Sequence, residues 1–165
     1  MRLSTQVSKL VGTVTLAATL PLMANALTAQ AATTPYSIIV NSASDGEIRP
    51  DDELTLREAI EIVNGTLPVT ALSSAEQARV TPAASPTINF NLPGDTTIGL
   101  VEPLPPIATA GTLVDGASQP GYGPVSTTDT MVTPVPTPVV ALTPAAGSEV
   151  FRGLTITADD VTVRG

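Results

Sequence analysis

The chain has 165 residues, room for one domain with a substantial core and too few for two. Its formal charge is −8, and only 13% of residues are charged and 2% aromatic against 42% hydrophobic, so the core has to be built from Val, Ile, Leu and Ala rather than from rings. His and Cys are both absent, which excludes a Ser-His-Asp triad, a thiol nucleophile, a disulfide and a zinc centre of the usual nitrogen and sulfur type. No cofactor and no metal site is therefore expected. The 16 prolines and 12 glycines favour short strands broken by turns over long helices.

Residues 1–31 read as a secretory signal peptide. Arg2 and Lys9 precede an apolar stretch, Leu10 to Met23, too short to cross a bilayer, and small-x-small cleavage patterns follow at Ala24-Asn25-Ala26 and Ala29-Gln30-Ala31. Cleavage is expected after Ala31, with Ala26 as the second choice, which makes the mature chain secreted or displayed at the cell surface. Removing Arg2 and Lys9 leaves five arginines against 15 carboxylates, a charge that makes nucleic acid and anionic membrane surfaces poor partners.

Residues 32–86 should hold a strand, an acidic loop and a helix. The β-branched run Ile38-Ile39-Val40 predicts a strand over Ser37–Asn41, and the stretch from Asp45 to Glu53, broken by Gly46 and Pro50, predicts a solvated loop without the spacing of a calcium site. Thr55-Leu56-Arg57-Glu58 is a capping box: the Thr55 hydroxyl accepts from the Glu58 N–H while the Glu58 carboxylate accepts from the Thr55 N–H. Leu56, Ala59, Ile60 and Val63 then mark one apolar helical face, and Asn64-Gly65 a stop, predicting about three turns of helix. Asn64-Gly65-Thr66 is also a glycosylation sequon, but the Asn-Gly pair is already explained as a helix end.

Residues 87–165 predict short strands at Thr87–Phe90, Thr97–Leu100, Thr112–Asp115, Val139–Leu142, Leu154–Thr157 and Val161–Arg164, stacked by coiling. A Pro/Thr-rich loop, 127–138, should protrude without joining a ladder. Phe90 and Phe151 are expected in the core, and Tyr122 at the surface. Asp159-Asp160, read as a solvated turn, and Asp115, read as a turn signal with Gly116, are the candidate acids, and neither is expected to be catalytic; Arg152 and Arg164 are expected to be solvated or to pair with nearby carboxylates.

Leu54-Thr55-Leu56-Arg57-Glu58-Ala59-Ile60, preceded by an Asp-Gly loop, resembles the C-[ST]-L-R-E-A motif of the CSLREA domain found near the N-terminus of exported bacterial parallel β-helix proteins. Thr87–Gly94, Thr112–Gly116, Gln119–Tyr122 and Gly153–Gly165 are similar to the first coils of those proteins. Leu54 stands where the family has Cys, so the loop-to-helix disulfide is impossible, and Leu54 packing on Ala59 as a hydrophobic staple would replace it.

The resemblance implies an all-β chain, a right-handed parallel β-helix (solenoid) beginning under an N-terminal amphipathic helix. Leu54, Thr55, Leu56, Arg57, Glu58, Ala59, Ile60 and Val63 would form that structural cap. It implies a non-catalytic exported module, the N-terminal cap of a secreted or cell-surface adhesion protein, whose partner is an extracellular polysaccharide or surface protein. The alternative is the front of a polysaccharide lyase or glycoside hydrolase of the pectin-lyase-like fold, with its active site beyond Gly165. The strand Val161–Arg164 reads as the opening of another coil, so the chain is expected to be the first part of a longer protein or to self-associate through that open end.

Overall fold

The computed structural model describes residues 34–124 and 136–165. The expected signal peptide at 1–31, with its cleavage sites after Ala26 and Ala31, lies outside the described residues, as does 127–135 of the Pro/Thr-rich loop. Among the described residues, no helix is long and apolar enough to cross a membrane.

Alternation sets the first strand, β1 (Tyr36–Val40): Ile38 and Val40 are buried while Ile39 faces out. Helix α1 (Leu56–Asn64) follows, with Thr55 at its N-cap and both halves of the capping box formed. Gly65, at φ 75°, ends it by donating its N–H to the Glu61 and Ile62 carbonyls in the left-handed conformation a side chain would resist. The apolar face of α1 packs on β1 and on β3 (Thr87–Phe90).

Between them comes a stretch whose structure the apolar pattern does not announce. A 3-10 turn, Val69–Ala71, leads into the one-turn helix α2 (Ser74–Gln77), capped by Ser73 and Glu76 in a second capping box. Strand β2 (Val80–Pro82) then returns antiparallel to β1, with Ile38 opposite Val80. The next strands are β4 (Thr97–Leu100), β5 (Leu113–Asp115), β6 (Gly123–Pro124), β7 (Pro136–Thr137), β8 (Ala141–Pro144) and β9 (Thr162–Arg164). One sheet has the order β2-β1-β3-β5-β9, parallel except for β2 at its edge. β4 pairs with β8 in a second, parallel sheet, and β6 with β7 in a short antiparallel ladder. Ile38, Leu54, Ile60, Ile88, Ile98 and Ile107, all fully or almost fully buried, belong to one core cluster.

This arrangement corrects the expected fold class. The described residues form a mixed α/β fold, with a five-stranded mixed sheet, a two-stranded parallel sheet and two helices; no solenoid or β-helix is evident. The physical cause lies in residues 66–82. Beyond the helical turn capped by Ser73 and Glu76, Val80–Pro82 adds to the edge of β1 in the opposite direction, where a stacked coil would run parallel. The strand expected at Leu154–Thr157 is reduced to a single bridge, Ile107 to Ile156. Pro136 and Thr137, expected in a protruding loop, pair with Pro124 and Gly123. A proline can occupy such a position where its missing N–H faces away from the ladder.

Candidate functional site

The residues singled out around the capping motif run along α1 from its N-terminal entry to its last turn. Leu54, Leu56, Ala59, Ile60 and Val63 are all buried in the main core cluster. The Glu58 carboxylate accepts from the Thr55 N–H at 2.9 Å and from the Thr55 hydroxyl at 2.9 Å. Burial raises the Glu58 carboxyl above its ordinary value; the bonds from Thr55 oppose this and the charge of Glu76 adds to it. Glu76 is buried too, where one oxygen accepts from the Ser73 N–H at 2.6 Å. Its other oxygen and the Arg79 Nε are buried without a hydrogen-bond partner. The Ser73 hydroxyl donates to the Asp51 carbonyl, joining the second capping box to the acidic loop.

Arg57 faces away from that core and ties three segments together. Its Nε and Nη2 donate to the two Asp45 oxygens at 2.8 and 2.9 Å, and Nη2 and Nη1 donate to the Glu102 and Pro103 carbonyls at 3.1 Å each. Asp45 in turn accepts from the Val101 N–H at 2.9 Å. The planar guanidinium suits this task because its donors are fixed in a fork that matches a carboxylate on one side and carbonyls on the other. The acidic loop is exposed from Gly46 to Glu53, as a solvated loop should be, but the Asp45 side chain is only 2% exposed. Beside this latch lies a groove of about 660 Å³ between the Asp45–Ile48 turn and Val101–Glu102.

The candidate acids stay apart. Asp115 sits at the end of β5, where Arg164 of β9 donates Nε and Nη2 to its two oxygens at 2.9 and 2.7 Å. Those bonds hold the Asp115 carboxyl below its ordinary value, and a weaker bond from the Ala117 N–H caps the 3-10 turn Gly116–Ser118. Asp115 thus begins a turn, as its Asp-Gly signal predicts, and is at the same time a buried strand-to-strand tie. Asp159 and Asp160 are exposed in the turn before β9, with Asp160 at φ 58°. Among the described residues, no three carboxylates gather as metal ligands.

Phe90 is buried, but Phe151, expected in the core, is 87% exposed, with the Arg152 guanidinium 5.5 Å from the centre of its ring. A cation on a ring face compensates part of the cost of leaving it in water. Tyr122 is half-buried rather than at the surface.

The residues that sequence reasoning missed divide by range. Glu76 had a signal, Ser73-x-x-Glu76, the same capping pattern as at Thr55. Asp45 as the partner of Arg57 had none, because the carbonyls that complete the latch come from 45 and 46 residues further along the chain. No protein-family model, no curated protein and no solved structure matches the chain.

Proposed function

We propose that the chain is a non-catalytic exported interaction module, acting at a cell surface or in the extracellular space by binding rather than turnover. One observation carries this reading: among the described residues, Asp45, Glu58, Glu76 and Asp115, the carboxylates with buried side chains, are each engaged in an ion pair or a helix cap. The paired-carboxylate chemistry of glycosidases needs two such groups free to face one cleft, and Glu58 and Glu76, whose charges interact, are both taken up in capping boxes. The leader-like pattern of residues 1–31 supports export, and Leu54–Ile60, which resembles the CSLREA motif, supports the same setting. The expected partner is an extracellular polysaccharide or a surface protein.

The experiment compares retention with turnover. Beads coated with the exported chain are passed over immobilised polysaccharides and extracellular proteins, while the same polysaccharides are incubated with it in solution and assayed for shortened or unsaturated products. Saturable retention on at least one surface with no product is expected. Product formation that scales with protein concentration would overturn the reading.

A further inference from the structure

We propose that the groove beside the Arg57 latch docks a polypeptide segment presenting an aliphatic side chain flanked by lysine or arginine; this rests on the interaction-module reading and names its partner chemistry. Ile48 and Val101 line the groove with 42% and 49% of their surface exposed, an apolar strip that gains from being covered. Glu47 and Glu102, both exposed, flank them with negative charge. Among the described residues the one cation lining the groove, Arg57, is already matched by Asp45 at 2.8 Å, so it does not offset those carboxylates.

The two walls are bonded to each other, because Asp45 on one side accepts from the Val101 N–H on the other. That bond and the Arg57 fork fix the base of the groove, which lowers the ordering cost of a ligand entering it. Charge complementarity selects the occupant. A chain of net charge −8 with carboxylates at the groove repels acidic polysaccharides and anionic lipid. A neutral sugar has no cation to offer Glu47 and Glu102, and among the described residues no aromatic ring lines the groove for it to stack on. A Lys-aliphatic-Lys segment satisfies both strip and rim.

The test is an NMR titration of the full chain, labelled with nitrogen-15, against three capped tripeptide amides: Lys-Leu-Lys, Lys-Ser-Lys and Glu-Leu-Glu. Saturable shifts at Gly46, Glu47, Ile48, Val101 and Glu102 are expected with Lys-Leu-Lys, with affinity for Lys-Ser-Lys lower and no saturation with Glu-Leu-Glu. A Glu47→Gln, Glu102→Gln double variant should melt like the parent and bind Lys-Leu-Lys about fivefold more weakly, as two exposed ion pairs would dictate. Equal binding of Glu-Leu-Glu, shifts confined to another surface, or no saturable binding overturns the docking proposal. Surface retention without groove binding sinks this proposal alone; groove binding without surface retention upholds it and sinks the adhesive reading.

Discussion

Replacing Arg57 by alanine removes both bonds to Asp45 and both bonds to the Glu102 and Pro103 carbonyls, leaving the nearly buried Asp45 carboxylate with the Val101 N–H for company. Deleting one partner of a buried pair costs about 3 to 5 kcal/mol, and the open groove alongside admits water, which places this case near 3 kcal/mol. Asp45→Ala is milder, about 2 kcal/mol, because Arg57 keeps its two carbonyl acceptors and the freed Val101 N–H is close to solvent. The double variant carries neither stranded charge and should cost about 3 kcal/mol, so the two singles overshoot it by about 2 kcal/mol, the coupling energy of the pair. Arg57→Lys should recover only part of the loss, since an ammonium cannot present the fork. Urea unfolding of the four chains, followed by circular dichroism, measures the cycle, and the Arg57→Ala melt should fall by roughly 10 °C. Single variants that add to the double within about 0.5 kcal/mol would refute the reasoning, for the pair would then behave as an ordinary surface contact.

Ile60 is fully buried on α1, so Ile60→Asp should destabilise by about 4 kcal/mol, whereas Glu61→Ala, at a half-buried position, should stay within about 0.5 kcal/mol; equal denaturant midpoints would place the helix off the core. Gly65→Ala puts a side chain at φ 75° and should cost about 1 kcal/mol by the same melts, without changing the denaturant slope. Glu58 is raised above 4.5, chiefly by burial, so the folded state holds its proton more tightly than the unfolded chain. Its contribution is complete below that pH and is lost as pH rises through the folded value; Glu58→Gln, which keeps an acceptor for Thr55, should flatten that part of the melting profile. Asp115 runs the other way: held below 3.8, chiefly by the hydrogen bond from Arg164, it stabilises above that pH and stops doing so as pH falls through its folded value. Asp115→Asn should therefore shrink the acid limb of the profile, and an unchanged limb would contradict the tie to Arg164.

What was legible in the sequence is what physics writes within a few residues. The Thr55–Glu58 box and the Gly65 stop are local hydrogen-bond patterns, and α1 occupies Leu56–Asn64 between them. Strands β3 and β4 run over Thr87–Phe90 and Thr97–Leu100, where alternation and turn residues put them. The fold class was not legible, because it turns on the direction in which Val80–Pro82 meets β1, a pairing across 44 positions that no window contains. β8 begins at Ala141 rather than Val139 because its register is set by β4, with Ala141 opposite Thr97. Asp45 and Asp115 look alike in sequence, each preceding a glycine in an Asp-Gly turn signal, and only the distant Val101 and Arg164 reveal them as buried ties. Phe151 misled for a related reason: hydrophobicity predicts burial only where the surrounding chain supplies a wall.

Asn64 closes α1 in a way that bears on how the protein can be produced. Its Nδ2 donates to the Pro106 carbonyl at 2.8 Å and its Oδ1 accepts from the Ala108 N–H at 2.9 Å, so the side-chain amide stands in for a missing rung between the helix end and the segment before β5. That same nitrogen is the atom a eukaryotic host would glycosylate in the Asn64-Gly65-Thr66 sequon. Glycan transfer replaces one of its two hydrogens and sets a bulky sugar against backbone it now touches. A host that modified this sequon would weaken the strut, since the nitrogen would keep one hydrogen and carry the sugar, whereas a host lacking that transferase, or a Thr66→Ala chain, leaves the amide free to lock.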